Sequence, residues 1–113
     1  MGGINIKSFN RLSIPRRTGA VGAVPRLIYG RSVGIFVARV PAQAGDVSVM
    51  IQNVSAFDVQ LSTDPTAPDG FLLLAGHAVT YDISGIEWDG GIYCVVDDGG
   101  GNANFCVSVA GGK

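Results

Sequence analysis

The segment CVVDDGGGNANFC, residues 94–106, gathers two thiols, two carboxylates and two amides around three consecutive glycines. Such a set serves a metal site, a phosphate-binding loop, a disulfide staple or a hairpin turn. Zinc needs four ligands, commonly with a C-x-x-C pair, but the chain has two cysteines, no such pair and one histidine, His77. A calcium loop wants side-chain oxygens at alternate positions, where Gly99 and Gly101 stand; Asp97, Asp98 and Asn102 keep only a weak capacity for a cation. Phosphate loops lead from glycines into a helix, whereas these glycines lead into a β-branched run. The hairpin reading meets its requirements. Reversal about Gly100 sets Cys94 opposite Cys106 and Val95 opposite Phe105, with Tyr93, Val95, Phe105 and Val107 on one apolar face. The two cysteines are expected as free thiols, because a reducing compartment of synthesis keeps most such pairs unbridged.

The remaining reactive residues form no catalytic set. His77 has no serine or cysteine motif around it and reads as an ordinary residue at a turn or the start of a strand. Asp82, Glu87 and Asp89 surround Trp88, an aromatic-plus-carboxylate arrangement suited to a carbohydrate platform; the competing reading is a tryptophan covering the open end of a sandwich. With no nucleophile and base, paired carboxylates or metal ligands, the expectation is a non-enzymatic protein with no cofactor, no metal and no small-molecule substrate.

The elements that position these residues follow from composition and periodicity. A chain of 113 residues supports one domain, and 47% apolar residues, 15% charged residues and 17 glycines fit a β-rich one. No apolar run approaches a membrane span, and the N-terminus lacks the apolar stretch of a signal peptide, so no membrane partner is expected and synthesis is expected in a cytoplasm. From Arg26 onward, short β-branched and aromatic runs alternate with turn signals. Strands are expected near 26–29, 34–40, 46–53, 58–62, 70–74, 78–83, 91–96 and 105–109. Val47, Val49 and Ile51 share one face of the third of these, as do Val59 and Leu61 in the fourth. The fold class is all-β, an antiparallel β-sandwich of jelly-roll-like form, over residues 26–113.

Residues 1–25 read as an extended basic N-terminal arm, punctuated by Pro15, Gly19, Gly22 and Pro25 and without sustained periodicity. Its apolar residues are too many for a free tail, so the arm is expected to lie along a surface, its own or a neighbour's. The formal charge of −1 hides a split: seven bases and no acid in residues 1–45 give +7, and nine acids against Lys113 alone in residues 46–113 give −8. Either the halves pair within one monomer, or a basic arm docks on the acidic body of a neighbour. The second reading makes Phe9, Arg11, Leu12, Ile14, Arg16 and Arg17 the partner-binding residues. Nucleic acid is not the expected partner, since the arm carries one aromatic, Phe9, and the body is acidic.

The order IQNVSAFDVQLSTDPTAPDGFLLLAGHAVTYDI followed by GGIYCVV resembles small β-sandwich structural proteins of tailed bacteriophages, over about residues 46–110. In that pattern N-x-S precedes a strand, a G-x-x-L-x-x-G turn precedes another, and an I-Y-x-V strand precedes the final hairpin. The resemblance implies a virion component with no catalytic residues: a capsid decoration or cement protein that stabilises the particle through contacts with its own copies and a major capsid or other virion protein. A tail, neck or fibre element, or a carbohydrate-binding module, is the alternative. Localisation to the virion follows from the same resemblance.

Overall fold

The computed structural model describes residues 5–15, 24–63, 71–83, 91–96 and 101–111. Among the described residues all regular structure is β. The strands are β1 (Asn5–Pro15), β2 (Val24–Gly30), β3 (Val40–Pro41), β4 (Asp46–Asn53), β5 (Val59–Ser62), β6 (Phe71–Leu73), β7 (Ala78–Asp82), β8 (Gly91–Val96) and β9 (Asn102–Gly111). They form two sheets, one ordered β1-β9-β4-β7 and the other β3-β2-β8-β5-β6. Apart from the two-residue β3, which runs parallel to β2, every pairing is antiparallel.

Setting β3 aside, eight strands pair first with last (β1·β9), second with seventh (β2·β8), third with sixth (β4·β7) and fourth with fifth (β5·β6). That nesting is a long hairpin rolled up into two sheets, the jelly roll expected from the strand pattern. Alternation explains which faces meet. In β4, Val49 and Ile51 are buried while Met50 is exposed; in β9, Ala103, Phe105, Val107 and Val109 point inward. With Ile14, Ile28, Tyr29, Leu61, Leu73, Ile92 and Cys94 they make one continuous core. A register shift between Leu27 and Tyr29 lets Ile28 and Tyr29 both enter that core, while Leu27 joins a satellite cluster with Ala38, Tyr93 and Phe36.

Three expectations are corrected. The hairpin at residues 94–106 does not form, because β8 and β9 are consecutive turns of the roll and lie in opposite sheets: Cys94 stands opposite Arg26, and Cys106 opposite Arg11 and Gln52. Tyr93 accordingly faces away from the main core, and Cys94 into it. Both thiols are free. The strand expected over 34–40 is replaced by a tight turn at Val33–Phe36 and an irregular return to β3. Finally, residues 5–15 belong to the sandwich itself. They pair along β9 from Asn5 opposite Gly111 to Pro15 opposite Asn102, so the boundary drawn at residue 25 does not separate an arm from the body. The periodicity of β1 was hidden by a register shift between Ile6 and Ser8 and by polar inward positions, Ser8 and Asn10, ahead of Leu12 and Ile14.

Candidate functional site

The first strand is fastened at its start by a polar cluster. Lys7 Nζ donates to Asp46 Oδ1 at 2.7 Å and to the Ala44 carbonyl at 3.3 Å, while Tyr29 Oη (2.6 Å) and the Gln43 amide (2.9 Å) donate to Asp46 Oδ2. Burial alone would raise the Asp46 carboxyl; the hydrogen bonds from Lys7, Tyr29 and Gln43 and the Lys7 charge outweigh it and hold the group below its ordinary value. Tyr29 moves the other way, raised by burial and then by the carboxylate it bonds. Beside this cluster a cleft of about 200 Å³ runs between β1 and the β3 segment, lined by Ser8, Asn10, Arg39, Val40 and Pro41 among others. The first acidic residue of the sequence thus pairs with the first basic one inside one chain. It is the one ion pair among the described residues.

The expected partner-binding residues separate along β1. Ile14 is wholly buried in the chain's own core and so is not free to meet a neighbour, while Leu12, partly buried, packs against that core. Burial corrects the expectation for Ile14; Ile14 and Leu12 stand opposite Ala103 and Phe105, on the inward face of the strand. Phe9 and Arg11 alternate with them and are exposed. Arg16 and Arg17 lie outside the described residues. So do Glu87, Trp88 and Asp89 of the carbohydrate reading, and Asp97 and Asp98; Asn102 donates to Ser13 Oγ at 2.8 Å, tying β9 to β1. His77 precedes β7 and is exposed, and among the described residues no three His, Cys, Asp or Glu side chains come together as metal ligands.

Two surface features escape the sequence reading. The first is a finger over residues 31–39, RSVGIFVAR, between β2 and β3. Val33 and Phe36 exchange both backbone hydrogen bonds at 2.9 Å across a two-residue turn, and Gly34 at φ +58° supplies the left-handed conformation that a hairpin turn of this kind needs first. Phe36 packs edge-on against Tyr93 with ring centroids 5.4 Å apart, and Ser32 Oγ accepts the Ala38 amide at 3.0 Å. That scaffold holds Val33, Ile35 and Val37 outward at 61%, 90% and 70% exposure, with Arg31 and Arg39 exposed at the base. The signal was present in V-G-I-F between two arginines, but apolar alternation there reads as a strand.

The second feature is β6, at the far edge of the same sheet. Phe71, Leu72 and Leu74 are each about half exposed. The backbone beneath them is fixed: buried Asn53 Nδ2 donates to the Phe57 carbonyl (2.8 Å) and the Leu73 carbonyl (3.1 Å), and Asp58 Oδ1 accepts the Ala75 amide at 3.0 Å.

Among the described residues the topology sets basic and acidic side chains on different strands. β1, β2 and the finger carry Lys7, Arg11, Arg26, Arg31 and Arg39; β8 and β9 carry no charge; β4 and β7 carry Asp46 and Asp82, and Asp58 immediately precedes β5. In the first sheet the neutral β9 lies between basic β1 and acidic β4; in the second the neutral β8 lies between basic β2 and β5, which Asp58 immediately precedes. Comparison of the chain with known protein families, curated proteins and solved structures finds no match.

Proposed function

We propose that this chain is a non-enzymatic structural protein of a virus particle, of the kind the sequence resemblance implies, and that it works by protein–protein contact as a capsid decoration or cement protein. The observation that carries the reading is the pair of apolar sites at opposite edges of one sheet, each held on a rigid support. Large apolar groups displayed singly need no explanation, but three within the five residues 33–37, at 61–90% exposure, mark a surface that is covered in use. Asn53, the most deeply buried polar residue among those described, and Asp46 are engaged in holding strands and turns together.

Electron microscopy of isolated particles with a label on this chain tests the role. Label repeating over the capsid surface supports decoration, and label confined to a vertex or along a tube supports the tail, neck or fibre alternative. Absence from particles, together with binding on a glycan array, overturns the structural reading in favour of a carbohydrate-binding module.

A further inference from the structure

The two apolar sites have opposite electrostatic settings. The finger's Val33, Ile35 and Val37 stand between Arg31 and Arg39. The β6 edge, with Phe71, Leu72 and Leu74, lies beside Asp58, and no lysine or arginine occurs anywhere in residues 40–112. Three strand spacings of roughly 4.8 Å separate β2, where the finger begins, from β6, so one copy cannot bring its own sites together through the rigid sheet. A second copy can. Resting on the assembly role proposed above, we infer that the chain associates head to tail with itself: the finger of one copy seats on the β6 edge of the next, apolar tip against Phe71, Leu72 and Leu74, arginines toward the acidic side.

Such a contact is heterologous, since the two surfaces differ, and it leaves each added copy with one free finger and one free edge. It therefore builds a ring or a row, the geometry a repeating layer requires. Opposed charges set the direction, because finger against finger places arginines together and edge against edge places carboxylates together. The apolar tip supplies the attraction that salt does not screen.

The test is sedimentation velocity over a concentration series for the full chain, an Ile35→Asn/Val37→Asn finger variant, a Leu72→Asn edge variant, and an equimolar mixture of the two variants. All three substituted side chains are exposed, and circular dichroism with a thermal melt verifies that each variant keeps the wild-type fold. Asn adds no charge, so it creates no new attraction between mutated surfaces. The wild type is expected to pass beyond dimer as concentration rises, and each variant alone to need at least about tenfold higher concentration to associate. The mixture is expected to stop at a one-to-one dimer, because it retains one intact finger and one intact edge in complementary chains. A monomeric wild type, unchanged association in either variant, or a mixture that forms no dimer overturns the inference. A chain present on particles yet monomeric in solution refutes this contact alone, whereas a chain that associates head to tail but occurs on no particle refutes the virion role alone.

Discussion

Ile14→Ala, set against Phe9→Ala, decides whether β1 is part of the sandwich or a device for reaching a neighbour. Ile14 is completely buried opposite Ala103, and Phe9, five positions earlier on the other face, is 64% exposed opposite Ser108. Ile→Ala removes three carbons, worth about 2.4 kcal/mol at roughly 0.8 kcal/mol per buried methylene, and the cavity adds to this. β1 is an edge strand with a small residue opposite, so partial collapse keeps the total near the lower part of the observed range, about 3 kcal/mol. Phe9→Ala should cost less than about 0.5 kcal/mol in the isolated chain, as exposed positions do. Urea unfolding at low protein concentration, followed by circular dichroism, gives both values, with an unchanged slope expected for each variant. With a slope of about 1.5 kcal/mol/M, the midpoint should fall by about 2 M for Ile14→Ala and hardly move for Phe9→Ala. If Ile14→Ala unfolds within about 0.7 kcal/mol of wild type, the strand does not pack on β9 as described, and residues 5–15 return to being an arm.

Asp46→Asn should lower stability at neutral pH by about 2 kcal/mol, as loss of charge-assisted hydrogen bonds does. The folded carboxyl lies below its unfolded value, so its contribution is full above about pH 4 and is lost as pH falls through the folded value. The variant's urea midpoint should accordingly be flatter between about pH 5 and pH 2.5, and parallel curves would rule out the Lys7–Asp46–Tyr29 cluster as a source of pH dependence. Burial pushes the Cys94 thiol up to about 12, and the residue sits in the core, whereas Cys106 is only half-buried on the outer face of β9. Maleimide at pH 7.5 should therefore add one label to the native chain, at Cys106, and two after denaturation; native labelling of Cys94, or a mass two hydrogens short, contradicts the two-sheet placement. Asn53→Ala leaves the Phe57 and Leu73 carbonyls and the Ser55 amide without their partner, a loss of about 3 kcal/mol readable in a thermal melt. A loss under about 1 kcal/mol would show that the β4–β6 tie is dispensable.

The strands legible in the sequence are those with one wet face and one dry face. β4 and β5 alternate cleanly, and the turn at Ala75–Gly76, with Gly76 at φ +80°, announced the start of β7. Pairing partners were less legible, because alternation tells which face is buried but not which strand lies alongside. Cys94 and Cys106 show the difference. Their spacing suits a hairpin, yet in a rolled structure consecutive strands change sheets, and β9 finds β1 almost the whole chain length away. β1 itself was obscured by the register shift at Lys7 and by the inward polar residues Ser8 and Asn10, whose side chains bond each other. Of the expected partner-binding residues, Ile14 is core, Leu12 packs against the core and Phe9 is exposed, because an apolar side chain in an unpatterned segment looks the same whether it meets its own domain or another. The finger was missed for the converse reason: Val33, Ile35 and Val37 alternate as a strand does, and only Phe36 between them finds the protein.

The charge split gains its meaning from distance. From the basic edge strand β1 to Asp82 on the opposite edge strand β7 of the same sheet lie about 14 Å, three strand spacings, at which two unit charges in water attract by roughly 0.3 kcal/mol before screening. A Debye length of about 8 Å at physiological salt reduces even that several-fold. Charges held that far apart therefore do little for the stability of a single copy, whereas Lys7 reaches Asp46 directly. Brought to about 4 Å across a contact, the same charges attract by about 1 kcal/mol per pair in water and more where water is excluded. In the head-to-tail contact proposed above, the arrangement takes effect in association rather than in folding. It follows that raising salt should leave the unfolding midpoint of the monomer nearly unchanged while weakening head-to-tail association several-fold, and that the residual, salt-resistant part should disappear in the Ile35→Asn/Val37→Asn variant. If salt shifts folding and association by equal free energies, the charges act within the chain and the dipolar reading of this jelly roll fails.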